Sequence, residues 1–188
     1  VLFLRTPDGK TRTQKLGEAE VMADAGLADM LLTFNILGRH KLERLAALAK
    51  RTAISVVADN DAIVKGLGWA GEQAGRPIKV LVECDTGAKR NGVQSPDAAL
   101  ALAQQIDKTS GVEFGGFMTY PKAGTRKASA TFLEEARDKT LRSGLAVGTI
   151  TSGGSPDMWK DEGLEPVTEY RAGTYVYFDR SLAERGTC

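Results

Sequence analysis

Two short stretches gather the residue types that could do chemistry. The first is "ECDTGAKRNG", Glu83 to Gly92, where an apolar run, Val80 to Val82, meets two carboxylates, a lysine and an arginine within eight residues. Arg90 keeps its charge at any ordinary pH, so it can hold an anionic oxygen without titrating. The same spacing equally suits a surface arginine paired with Asp85 or Glu83. The second stretch is "TSGGSP", Thr151 to Pro156. Gly153 and Gly154 let backbone N–H groups come close to an anion, Ser152 and Ser155 add hydroxyls, and a helix starting near Pro156 would aim its positive end the same way. That describes a phosphate cup, and it also describes a tight turn that only needs glycine. Tyr120, closing "FMTY", is a third polar group of this kind, although a lone tyrosine is more often a packed ring.

The elements that must position these residues alternate along the chain. "LGEAEVMADAG" carries Leu16, Ala19, Met22 and Ala23 at helical spacing, and "KLERLAALAK" carries Leu42, Leu45, Ala46 and Ala49. Helices are also expected over 61–73, over "SPDAALALAQQI" with its stripe of Ala99, Leu102, Ala103 and Ile106, and over "SATFLEEARDKTLRSG". Between them "DMLLTF", "AISVVA", "IKVLVEC", "FGGFMTY" and "LAVGTI" read as strands, with short extended pieces "PVTEY" and "GTYVYF" near the end. Strands apolar almost throughout suit a parallel sheet covered on both faces. Two α/β architectures fit, a doubly wound open sheet or most of a (β/α)8 TIM-type barrel. Both place their chemistry at the carboxyl ends of the strands. Those ends read "VADND", "ECDTGAKRNG", "MTYPKAG" and "TSGGSP", so strand ends carry Cys84, Asp85 and the polar loops to one rim.

Composition removes several functions. With 25 basic and 24 acidic residues among 188, the chain shows no nucleic-acid footprint and no polybasic membrane surface. No apolar run approaches the ~20 residues of a membrane helix. Two cysteines, Cys84 and Cys188, make no disulfide framework, and a reduced, cytoplasmic setting is expected. The single histidine, His40, makes no metal site by itself. Walker A, G-x-G-x-x-G, zinc-spaced and G-x-S-x-G motifs are absent, which leaves phosphate binding without nucleotide machinery.

Taken together, "VECDTGAKRNGVQSPDAAL", "QKLGEAEVMADAG", "FMTYP", "SGGSPDM" and "EYRAGTYVY" resemble the pyridoxal-phosphate barrels that include alanine racemase, on the D-threonine aldolase and D-serine dehydratase branch, from about Gln14 to Asp179. The resemblance implies a role for each matching position. Arg90 would contact the phenolic oxygen of pyridoxal 5'-phosphate. Ser152, Gly153 and Gly154 would form the phosphate turn, where a bulky residue at Gly153 should block the approach. Tyr175 would close on the phosphate, and Gln14 and Tyr120 would line the cofactor. The catalytic residues stay unassigned. The family's cofactor-attaching lysine has a weak counterpart in Lys10, four residues before Gln14 where the family has a helix and a strand between. The chain therefore reads as an incomplete copy. Residues 1–178 would be a barrel lacking its first strand, and 179–188 the start of a β-domain that supplies the family's divalent metal site, whose ligands are not in this chain.

The activity so implied is a lyase acting on D-3-hydroxy amino acids, first a D-threonine aldolase type giving glycine and an aldehyde. A D-serine dehydratase type, an amino-acid racemase and a non-enzymatic pyridoxal-phosphate-binding barrel are the alternatives. The expected partner is a small D-amino acid, neither nucleic acid nor membrane, and a homodimer stays open. By itself this chain is expected to be inactive and poorly stable.

Overall fold

The computed structural model describes residues 10–159, 165–173, 180–184 and 186. Strands and helices alternate: β1 (Lys10–Thr13), α1 (Leu16–Asp24), β2 (Asp29–Leu32), α2 (Arg39–Ala49), β3 (Ala53–Ala58), α3 (Asp61–Ala74), β4 (Ile78–Cys84), α4 (Pro96–Lys108), β5 (Val112–Thr119), α5 (Arg126–Arg142), β6 (Thr149–Ser152), a 3-10 turn (Ser155–Asp157), β7 (Glu169–Tyr170) and α6 (Arg180–Glu184). The sheet has seven strands in chain order, β1 through β7. The registered pairs, β1–β2, β2–β3, β3–β4, β5–β6 and β6–β7, are all parallel. A doubly wound sheet reverses its strand order at a switch point. Unreversed order is the winding of a (β/α) barrel, which decides between the two architectures.

The described residues form two compact units, one built on residues 10–82 with Ala101–Gly115, the other on Glu83–Leu100 with the described residues from Gly116 on. In the first, α2 buries Leu45, Ala46, Leu48 and Ala49, while Leu42 is only half-buried. Asn60 caps α3, its side-chain oxygen accepting from the Ile63 N–H at 3.1 Å, and Gly75 ends the helix at φ 73°. His40 is exposed on α2. Within α4, Ala99, Leu102, Ala103 and Ile106 are all buried, as their spacing predicts.

Four elements differ from the sequence reading. β1 was not expected: "KTRT" has no apolar run, yet Thr11 and Thr13 are 1% and 0% exposed, and register with Met30 and Leu32 makes them strand. α1 buries only Leu16 and Ala19, leaving Met22 and Ala23 half-exposed. β6 begins at Thr149 rather than Leu145, because its register with β5 runs only from Thr149 to Thr151. Of "PVTEY" only Glu169–Tyr170 is strand, while "GTYVYF" beyond Gly173 lies outside the described residues.

One contact fixes helix against turn. A Cβ on Gly71 of α3 would fall 1.8 Å from the Gly111 carbonyl oxygen and 2.7 Å from its carbon, so backbone meets backbone there. Alanine would gain about 1 kcal/mol of helix propensity, but overpacking against an immovable carbonyl typically costs about 1–3 kcal/mol and sometimes more. Gly71→Ala is therefore expected to lower the denaturation midpoint, and a stability at or above wild type in a urea titration would refute this packing.

Candidate functional site

The second unit contains a cavity of about 580 Å³ walled by successive strand-end loops. Gly87, Ala88, Lys89 and Arg90 come from the loop after β4, and Tyr120, Pro121, Lys122 and Ala123 from the loop after β5. Gly154, Pro156 and Asp157 follow β6, and Tyr170 ends β7.

Asp85, 8% exposed, builds the first of these loops. Its Oδ1 accepts from the N–H groups of Gly87 at 2.9 Å and Lys89 at 3.0 Å, and its Oδ2 from the Gln94 amide at 3.1 Å. To present that N–H, Lys89 adopts φ 52°, a left-handed conformation that costs a side-chain-bearing residue about 1–2 kcal/mol. The loop then returns to its strand. Val93 donates to the Glu83 carbonyl at 2.8 Å and Asp85 donates to the Val93 carbonyl at 3.0 Å. The return passes so close that a Cβ on Gly92 would meet the Asp85 nitrogen at 2.4 Å. Burial by itself would raise the Asp85 pKa, but the N–H groups of Lys89, Gly87 and Ala88 and the Gln94 amide together outweigh it and hold the carboxyl below its ordinary range.

Arg90 is exposed at the cavity. Its Nε donates to Asn91 Oδ1 at 3.2 Å, and its guanidinium lies 5.0 Å from the centre of the Tyr120 ring. Tyr120, 42% exposed, is a wall of the cavity and not a packed core ring. Lys89 and Lys122 add two ammonium groups. From the turn after β6, Asp157 Oδ2 accepts from the Gly124 N–H at 2.9 Å, and its carbonyl accepts from Arg126 Nη1 at 2.9 Å. Arg126, 9% exposed, lies 5.3 Å from the Tyr170 ring centre. The Tyr170 hydroxyl donates to the Gly154 carbonyl at 2.9 Å. Arg171 ties two strand ends, donating from Nε to Thr151 Oγ1 at 3.0 Å and from Nη2 to the Thr119 carbonyl.

The structure thus brings Arg90, Tyr120 and Gly154 to one cavity. Ser152 is 6% exposed, and with Gly153 it lines a separate void of about 10 Å³ beside Arg126 and Ser129, scarcely one water. Among the described residues no helix begins near Pro156: the segment is a three-residue 3-10 turn, too short to present a helix terminus. Cys84 is 2% exposed and belongs to the core, not the rim; burial and the neighbouring Glu83 charge push its thiol pKa up, so it stays protonated. Gln14 lies in the other unit between β1 and α1, its N–H donating to Glu18 Oε2 at 3.0 Å. The side chain of Lys10, at the start of β1, and the whole of Tyr175 and Cys188 lie outside the described residues. Sequence reasoning missed Asn91, Lys122, Arg126, Asp157, Tyr170 and Arg171. Their place at strand ends, or in the segments that lead from them to the next element, is the signal that could have flagged them.

Gly153 sits at φ 113°, and a Cβ there would meet the Tyr170 ring at 2.6 Å. Substituting Gly153 is therefore strained whether or not a phosphate binds nearby. Gly154 is different: its φ of 171° is ordinary extended backbone, and a Cβ would lie 3.4 Å from Tyr120.

The family described as "Alanine racemase, N-terminal domain" matches residues 12–181, and the chain belongs to it. D-threonine aldolase of Arthrobacter sp is 36% identical over 177 residues, 88% of this chain and 47% of that protein. D-threo-3-hydroxyaspartate dehydratase of Delftia sp. (strain HT23) is 29% identical over 188 residues, 92% of this chain and 49% of that protein. The crystal structure of D-threonine aldolase from Filomicrobium marinum superposes with a TM-score of 0.79 at 31% identity, covering 93% of this chain and 50% of that one. The chain thus spans about half the length of these relatives.

The Asp85 carboxylate gives a pH-dependent test. Its depressed pKa contributes stability that is fully present above the unfolded-state value of about 3.9 and is lost as pH falls through the folded value. Asp85→Asn should lower stability at neutral pH by about 1.5–3 kcal/mol, the size of a charge-assisted hydrogen bond. The gap to wild type should narrow as pH drops below about 4. A pH-independent gap in denaturant titrations would show that the charge is not what holds the loop.

Proposed function

We propose that this chain is the cofactor-binding part of a pyridoxal-phosphate-dependent lyase acting on D-3-hydroxy amino acids, the aldolase type first. The observation that carries the reading is the cavity of about 580 Å³ at the strand ends, with Lys89, Arg90 and Lys122 on its walls and Tyr120 beside them. Three cations around a partly aromatic wall suit a phosphorylated, phenol-bearing ring. The names of the relatives support the substrate class, since they act on D-threonine or 3-hydroxyaspartate. A D-serine dehydratase type is the second reading; the relative that is a D-threo-3-hydroxyaspartate dehydratase supports its reaction type.

When bound, pyridoxal phosphate supplies an electron-withdrawing ring that weakens bonds at the amino acid's Cα. This chain's residues would hold and shape the cofactor. Arg90 would meet the phenolic oxygen with a charge that cannot titrate away. The Ser152–Gly154 turn would meet the phosphate, with Gly154 the part of it on the cavity. Tyr120 would flank the ring, and Tyr175 and Gln14 remain in the reading as further contacts. A divalent metal belongs to the proposal for the complete protein; among the described residues no three His, Cys, Asp or Glu side chains gather to hold one. Among those residues, no helix is long and apolar enough to cross a membrane.

Two substitutions test the reading by direct titration with pyridoxal 5'-phosphate. Arg90→Leu should weaken binding about 10- to 100-fold, the worth of one charge-assisted hydrogen bond. Gly154→Ala should weaken it with an unchanged melting temperature, because its methyl fits the backbone and narrows the cavity wall against the Tyr120 ring, 3.4 Å away. Wild-type affinity in both variants sinks the cofactor assignment. For the complete protein, cleavage of D-threonine that a chelator stops is expected, whereas racemisation of alanine would move the assignment to a racemase.

A further inference from the structure

Glu83 is a buried carboxylate that the proposed chemistry does not use. It is 2% exposed at the end of β4, in a strand whose Val80, Leu81 and Val82 are buried at 0%, 2% and 0%. A charge in that position costs several kcal/mol of desolvation unless hydrogen bonds compensate it, and an apolar side chain would serve stability alone at least as well. Its Oε1 accepts from Asn91 Nδ2 at 2.9 Å. The same Asn91 accepts from Arg90 Nε at 3.2 Å through its Oδ1. The carboxylate thereby sets the direction of an amide. With Asn91 Nδ2 donating to Glu83 Oε1, the amide oxygen Oδ1 is the end left to face Arg90. An anchored Nε in turn sets where the planar guanidinium points, and here that is over the Tyr120 ring at 5.0 Å.

We infer that Glu83 is a positioning residue for Arg90, acting through Asn91 to hold the guanidinium at the cavity wall for an anionic oxygen of the ligand. The inference rests on the cofactor reading above. It assigns the buried carboxyl a purpose, which is to keep an exposed, rotamer-rich arginine from losing its aim. The backbone frame is consistent with this: the Glu83 carbonyl also accepts from Val93, so strand end, amide and arginine belong to one loop.

The test titrates the wild-type chain and its variants with pyridoxal 5'-phosphate, reading both affinity and the pH at which the bound ligand's absorbance changes. Glu83→Ala opens a hole in the core, so Asn91→Ala, at a half-buried position, carries the comparison. Asn91→Ala should weaken binding about three- to tenfold, less than Arg90→Leu, because it removes the anchoring of the guanidinium and not its charge. It should also move the absorbance curve in the same direction as Arg90→Leu, and add nothing when combined with Arg90→Leu. Glu83→Gln keeps the acceptor for Asn91 and should stay within about twofold of wild type. Wild-type affinity and curve in Asn91→Ala overturn the inference, and so does a loss that adds fully to that of Arg90→Leu. If the wild-type chain binds no pyridoxal phosphate, the cofactor reading fails and takes this inference with it. If wild type binds and Asn91→Ala matches it, the inference fails alone.

Discussion

A parallel strand covered on both faces accommodates charged side chains most readily near its end, and the site follows from that constraint. β4 shows it most sharply. Val80, Leu81 and Val82 are buried and apolar, and the next three residues are Glu83, Cys84 and Asp85. The chain must then turn without leaving N–H groups unpaired, and the Asp85 carboxylate collects two of them at 2.9 and 3.0 Å. The left-handed Lys89 and the crowded Gly92 are consequences of that turn. So is the position of Arg90, which lies inside the loop that Asp85 shapes.

The forces on the two sides of the cavity are unequal in kind. On the β4 side a buried carboxylate and an amide hold an exposed arginine, with a cation–π contact worth about 0.5–1 kcal/mol at such a surface. On the β6 side the hold is made by backbone and rings. Tyr170 fills the space beside Gly153 and donates to the Gly154 carbonyl, while Arg126 covers the same ring and binds the Asp157 carbonyl. The first side can change its aim with one hydrogen bond. The second cannot move without displacing a packed ring.

That asymmetry separates residues that a motif treats alike. Ser152, Gly153 and Gly154 read as one phosphate turn, but φ 113° at Gly153 turns the chain so that only Gly154 borders the large cavity. Ser152 and Gly153 instead pack beside Ser129 and Arg126, within an enclosed wall.

The sequence by itself determined the alternation of strands and helices, the buried stripe of α4 and the rule that polar residues collect at strand ends, because these depend on local periodicity and on the kind of residue. It also placed Arg90, Tyr120 and the glycine pair at those ends. Tertiary structure decided the rest. Chain-order pairing of the strands chose the barrel winding over the doubly wound sheet, which helix and strand patterns do not distinguish. Burial made a strand of "KTRT", whose threonines carry no apolar signal. Cys84 went to the core and Tyr120 to the cavity wall, although both close apolar runs, because Cys84 is still the last residue of β4 whereas Tyr120 lies one residue beyond β5, in its strand-end loop. The link from Glu83 through Asn91 to Arg90 lies in only nine residues of sequence, yet it exists because the loop folds back to pair Val93 with the end of its own strand.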